Sequence, residues 1–211
     1  MEIIKRLARS PAAVVGLLLL LLVVAMALSA PIVFPRDPLS LAGRPLQWPF
    51  ANVRFWLGTD TTGRDIAAQI FHGARISLLI GLVATVLAIT IGIVLGALAG
   101  YYGGIVDDVL MRITEAFQTV PGFLLALAFV SLIGASLPVV ILAIALGAWT
   151  GPARLARAEV LTIRERDYVA AARVIGMRPV EIAFREILPN ALPPVLALPC
   201  RLLALRVPAW A

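Results

Sequence analysis

Long apolar runs alternate with shorter polar segments along the chain. Residues 12–30 are nineteen uninterrupted apolar or small residues preceded by Lys5, Arg6 and Arg9, close to the ~20 that a membrane-crossing helix needs. An A-x-A sequence at Ala25–Ala27 raises the alternative of a cleavable leader. The apolar region of a leader covers only about 7–15 residues, so the run predicts an uncleaved first helix. Residues 31–56 break the pattern, with Pro31, Pro35, Pro38, Pro45 and Pro49 close together and Trp48 and Trp56 nearby. Proline removes helical hydrogen bonds, and unsatisfied backbone cannot face lipid. This segment is therefore an extramembrane loop, with tryptophans suited to the interface. In LGTDTTGRDI (57–66), Thr59, Asp60 and Thr62 are capping residues, and a short helix is expected to start before Ile66 and Ala67.

Residues 76–100 form the clearest span. Gly92, Gly96 and Gly100 repeat at intervals of four within it, a small-residue stripe that lets another helix approach closely. Residues 101–120 are mixed. Asp107, Asp108, Arg112 and Glu115 are too costly to place together in hydrocarbon, although Arg112 and Glu115 have the i,i+3 spacing of a helical pair. A helix is expected to enter the membrane near Phe117 and continue through residues 121–133. After a turn at Gly134–Pro138, residues 138–150 begin another span that ends near Gly151–Pro152. Residues 151–186 are a polar island of seven arginines and five acids, helical in composition but broken at Gly176 and Pro179. Residues 187–211 are apolar again.

Composition fixes the solvent. The chain has 211 residues, 61% of them hydrophobic and 14% charged, against roughly 45–50% and about 25% for a soluble domain. A soluble enzyme, a disordered chain and a disulfide scaffold are excluded, and an all-α polytopic membrane protein is predicted. Lys5, His72 and Cys200 are each the sole residue of their type. A Walker A loop needs a lysine after a glycine-rich turn, which Lys5 lacks, so this chain does not bind ATP in that way. One histidine and one cysteine make neither a zinc site nor an internal disulfide, and His72 reads as structural. No catalytic residue, metal or cofactor is expected. The net charge of +6 reads as topology and anionic lipid rather than nucleic acid. With a cytoplasmic N-terminus, eleven basic residues fall inside and five in the 31–75 segment, so positive-inside puts the island in the cytoplasm.

Within the island, Ala170-Ala171-Ala172 precede Gly176, and Glu186-Ile187-Leu188-Pro189 follow. A small-residue face permits close docking, and a glycine permits a sharp turn. Such a helix–turn–helix between spans suits a groove on a soluble partner. The same residues also suit an amphipathic helix lying on headgroups, and physics alone does not choose between the two.

DYVAAARVIGMRPVEIAFREILPN (167–190) resembles the EAA loop of ABC-importer permeases. SPAAVVGLLLLLLVV (10–24), LGTDTTGRDI (57–66), HGARISLLIGL (72–82) and GALAGYYGGIVDDVLMR (96–112) resemble the C-type permease subunit of dipeptide, oligopeptide and nickel importers. The resemblance covers residues 10 to about 198. It implies a MetI-like transmembrane domain with about five of six expected spans present. It divides the chain into a cytoplasmic tail and first helix (1–30), a periplasmic loop (31–72) and the transmembrane domain (73–211) with its cytoplasmic coupling loop (151–186). It further implies a bacterial or archaeal inner-membrane location, pairing with a second permease, docking of two cytoplasmic ATPases and delivery of a peptide or related small solute by an extracytoplasmic binding protein. The implied ATPase-coupling residues are Asp167, Ala170, Ala171, Ala172, Gly176, Leu188 and Pro189.

Ala170 stands where the motif carries its leading Glu, which leaves Asp167 or Glu165 as substitute acids, and Glu186 occupies a usually apolar position. Gln118 and Thr119, beside Pro121, are the candidates for facing the pathway. After Leu198 the resemblance fades into PCRLLALRVPAWA. Arg201 and Arg206 would there lie in hydrocarbon at about 2.5–3.5 kcal/mol each, so a truncated or frameshifted end is expected. The rival readings are a stand-alone secondary transporter, which would place ionisable residues or broken helices at the midplane, and a membrane fragment that does not transport.

Overall fold

The computed structural model describes residues 11–196. By internal contacts the chain divides into two units, Met1–Gly81 and Leu82–Ala211. Among the described residues the structure is helical, with no strand and only two isolated bridges, Asn52 to Phe55 and Thr59 to Asp65. The helices are α1 (Pro11–Val33), α2 (Ile66–Tyr102), α3 (Gly104–Thr119), α4 (Gly122–Ile133), α5 (Leu137–Ala148), α6 (Thr150–Arg164), α7 (Asp167–Val174), α8 (Pro179–Ile182) and α9 (Leu188–Leu196). A π-helical turn, Ala183–Ile187, joins the last two.

In the first unit, α1 matches the predicted 12–30 run and presents its leucines outward, as a lipid-facing helix does. The proline-rich loop that follows is held by hydrogen bonds from the 57–66 segment. The buried Thr59 hydroxyl donates to the Arg44 carbonyl at 2.6 Å and accepts from the Gln47 N–H at 3.0 Å. The Asp60 carboxylate accepts from the N–H groups of Thr62 and Arg64 and from the Thr62 hydroxyl. Asp65, rather than the three residues expected, caps the next helix, accepting from the Ala67 N–H at 2.9 Å. Phe34 packs edge-on against Trp56 and Phe71. His72 Nε2 donates to the Phe34 carbonyl at 3.0 Å, the structural role expected of it.

The N–H of Arg64 and then the Thr62 hydroxyl hold the Asp60 carboxyl well below the usual carboxylate range. Because the folded value is depressed, this contribution is present above the ordinary carboxylate pKa. It is lost as pH falls through that range towards the folded value. Asp60→Asn is expected to speed amide exchange at Thr62 and Arg64 at neutral pH and to leave exchange at His72 unchanged.

Two helices, α1 and α2, are long and apolar enough to cross a membrane. Counting each bent pair as one gives up to four spans among the described residues. α2 extends beyond the expected 76–100 because the polar prefix with Gln69, His72 and Arg75 continues the same helix. At 1.5 Å per residue its 37 residues measure about 55 Å, well over a hydrocarbon core of about 30 Å.

The expected continuous helix through residue 133 is instead two helices, α3 and α4, meeting at 85°. Pro121 offers no N–H and forces the preceding residue out of the helical region, and Val120 is accordingly extended at φ −87°, ψ 121°. α4 and α5, about 18 Å each, pack as a hairpin on either side of the Gly134–Ser136 turn. α5 meets α6 at 43°, where Pro152 in the first turn of α6 leaves the Ala148 carbonyl without its helical donor. Of the last predicted apolar segment, residues 188–196 are helical. Pro199, Arg201, Arg206 and Pro208, on which the expectation of an altered end rested, lie outside the described residues.

Candidate functional site

The glycine stripe of α2 is where the second unit is built. A Cβ on Gly92 would meet the Trp149 carbonyl at 2.7 Å. One on Gly96 would run into the Ala153 carbonyl and lie 2.9 Å from the Ala156 Cβ, and one on Gly100 would lie 2.9 Å from the Arg157 carbonyl. As the α2 numbers rise, so do those on the opposing helix, so α2 and α6 run parallel with their backbones in close approach. α6 contributes the complementary face, burying Thr150, Ala153, Ala156, Val160 and Ile163 at intervals of three and four. Near the α5–α6 bend, Phe117 meets Trp149 edge-on at 5.5 Å. The loss of hydrophobic driving force in lipid makes such small-residue contacts the natural adhesive between spans.

The expected end of the span near Gly151–Pro152 is not where the helix stops: residues 151–164 of the polar island are α6, which continues α5 past the 43° bend. The rest of the island, 165–186, folds as a short helix, a turn and a second helix seated on this scaffold. α7 begins with Asp167, exposed in its first turn, where a carboxylate complements the helix dipole. Val169 and Ala172, three residues apart, are buried with Val160, Ile163, Ile182, Ile187 and Ala191. α7 ends in a Schellman arrangement. The Met177 N–H donates to the Ala172 carbonyl and the Gly176 N–H to the Arg173 carbonyl, both at 3.1 Å. Gly176 takes φ +83°, which L side chains adopt only at a cost. Past the turn, the Leu188 N–H reaches back to the Ala183 carbonyl in π-helical fashion. Pro189 supplies the reason, because it has no N–H for the Arg185 carbonyl and the helix register steps before it.

The residues singled out from the sequence therefore separate. Ala172 is 5% exposed and belongs to the core under the loop. Asp167, Ala170, Ala171 and Gly176 are exposed on α7 and its turn, while Leu188 is half-buried and Pro189 exposed at the joint between the π-helical turn and α9. Gln118 and Thr119 are exposed in the last turn of α3, directly before the 85° bend, and the Thr119 hydroxyl is taken up by the Ala116 carbonyl at 2.7 Å.

Two features were not found from the sequence. Val174 and Ile175 stand 86% and 76% exposed beside Ala170 and Ala171, so the tip of a polar island carries an uncovered apolar surface of the kind that marks an interaction site. The signal for it lay in the helical spacing of Ala171, Val174 and Ile175 within α7 and its C-cap. The second feature is a set of polar ties from the island to the ends of α2 and α3. The Arg157 guanidinium forms a two-pronged ion pair with the Asp107 carboxylate. Arg164 donates to the carbonyls of Gly100 at 3.0 Å and Tyr101 at 3.3 Å. The expected Arg112–Glu115 pair does not form; among the described residues the ion pairs are Arg157–Asp107, Arg164–Glu165 and Arg185–Glu181.

Residues 92–204 match the family described as binding-protein-dependent transport system inner membrane component, a match that runs past Leu198. Residues 1–49 match the N-terminal TM domain of oligopeptide transport permease C. The chain is 39% identical over 194 residues to the di/tripeptide transport system permease protein DppC of Pseudomonas aeruginosa, covering 90% of this chain and 64% of that protein. It is 34% identical to the dipeptide transport system permease protein DppC of Bacillus subtilis, over 89% of this chain and 58% of the relative. It is also 34% identical to the oligopeptide transport system permease protein OppC of the same organism, over 87% and 60%. The chain thus spans less than two thirds of the length of these relatives. The membrane helices, the glycine-packed scaffold and the matched segments agree: the chain belongs to the family of inner membrane components of binding-protein-dependent transport systems.

Proposed function

We propose that the chain is a permease subunit of an ABC importer for peptides or related small solutes, forming half of a translocation pathway with a second permease. Two cytoplasmic ATPases dock on the 167–189 loop, and an extracytoplasmic binding protein delivers the cargo. The N-terminus and the loop lie in the cytoplasm, as the distribution of arginine favours. The observation that carries this reading is the exposed apolar tip of α7, with Ala170, Ala171, Val174 and Ile175 outward, on a segment too polar to be buried in lipid. The names of the relatives, which are peptide permeases, support the substrate class.

In this reading the chain performs no covalent chemistry. Nucleotide-driven closure of the ATPases moves the loop, and the spans shift between two states with different exposure of the pathway. Gln118 and Thr119 are proposed to line that pathway, because the bend after them interrupts the helix where a passage needs polar groups. Affinity purification of the tagged full chain from its own cells, in mild detergent, tests the assignment. Two ATPase subunits and a second permease are expected to co-purify. Recovery of the chain alone, correctly inserted, would count against the importer reading and for a solitary transporter or an inactive fragment.

A further inference from the structure

We propose that the segment 96–112 is the receiver of the coupling loop, and that Tyr101 and Arg164 are the positioning residues that transmit loop movement to α2. The inference rests on the docking role proposed above and adds the route by which movement leaves the loop. The Tyr101 hydroxyl donates to the Pro179 carbonyl at 2.7 Å, across 78 positions of sequence. Pro179 opens α8, three residues beyond the Gly176 turn. The coupling loop is thus tied directly to the last turn of α2.

Arg164 adds a second tie at the same place. It is the final residue of α6, and its guanidinium donates to the Gly100 and Tyr101 carbonyls, which have no intrahelical partner at the end of α2. A cation there also complements the helix dipole. The Arg157–Asp107 pair fixes α6 to the first turn of α3 in a partly buried setting, with Asp107 13% exposed. Below these ties, Ala97, Tyr101 and Met177 pack against the cluster that buries Ala172 and Ile182. A displacement of α7 and α8 therefore reaches α2 through one hydroxyl, one guanidinium and a shared apolar core, and the glycine stripe keeps α2 and α6 moving together. Packed side chains, hydrogen bonds and rigid helices joined in this way carry coupling between separated sites.

The test places an environment-sensitive thiol fluorophore either on the loop, at Arg178→Cys, or on the exposed face of α2, at Val86→Cys, in a chain carrying Cys200→Ser. The chain is assembled with its co-purifying subunits, and the response to ATP plus vanadate is recorded. In the otherwise unaltered chain both positions are expected to respond. In Tyr101→Phe, which keeps the ring and removes only the hydroxyl, the loop response is expected to persist while the α2 response falls about three-fold or more. Arg164→Gln is expected to do the same, with Arg164→Lys restoring part of the α2 response. Equal responses at both positions in Tyr101→Phe and Arg164→Gln would overturn the proposal. Loss at both positions would also overturn it, assigning these groups to docking rather than transmission. Absence of any response in the unaltered chain would instead sink the docking reading on which the proposal stands.

Discussion

Gly176→Asp is expected to strip the ATPase subunits from the chain while leaving it inserted in the membrane. The turn at Gly176 has φ +83°, and no neighbouring atom lies within 4 Å of a Cβ placed there. Space is therefore not the obstacle, and the backbone penalty is about 1–2 kcal/mol, with Asp among the residues that bear it best. The larger effect is electrostatic. A carboxylate placed at an apolar tip must be desolvated when the tip is covered by a partner, at a cost of several kcal/mol unless it is paired. Since about 1.4 kcal/mol is a factor of ten in affinity, co-purified ATPase should fall by at least about ten-fold. Gly176→Ala carries the backbone penalty without the charge and should retain most of the ATPase. Equal loss in the two variants would mean that turn geometry, not docking chemistry, governs the result.

Gly96→Leu is expected to be the most destabilising single change in the scaffold. The obstacle at that position is backbone, the Ala153 carbonyl, together with the Ala156 Cβ, and neither can rotate away. Overpacking typically costs about 1–3 kcal/mol, occasionally more, and a rigid obstacle places this site at the upper end. For a chain of this size the thermal midpoint in detergent should fall on the order of 5–10 °C. Gly81→Leu, on the same helix but with nothing within 4 Å of its Cβ, should leave the midpoint nearly unchanged. A matching fall in both would show that helix propensity rather than α2–α6 packing sets the cost.

The contrast between those two glycines shows what the amino-acid pattern reveals and what it withholds. The four-residue spacing of Gly92, Gly96 and Gly100 announces a close helix contact, because only small residues let backbones meet. It does not say which helix arrives, and Trp149–Val160 lie more than fifty positions away. Pro121 has the chemistry of a helix breaker, yet the apolar residues on both sides make a continuous span the simpler expectation; the 85° bend follows from the extended conformation of Val120.

Charges were hardest to pair. Arg112 and Glu115 have helical spacing, but Asp107 is met by Arg157, whose side chain the parallel packing of α2 and α6 brings back to the start of α3. Within the 167–189 loop, Gly176 is legible because backbone chemistry gives it a narrow role. Which of three consecutive alanines faces the core is not, because the 100° step of a helix fixes it only once the packed side is known. Ala172 proves to be that residue.

What covers the tip of α7 separates a docking loop from a helix that lies on the membrane surface. A photo-reactive amino acid in place of Val174, introduced into the full chain and irradiated in intact cells, reads this out without purification. The expected result is one dominant cross-linked product joining the chain to an ATPase subunit, absent when Gly176→Asp is added. Cross-linking to lipid alone, unchanged by Gly176→Asp, would contradict the coupling role and favour a helix that lies on the membrane surface.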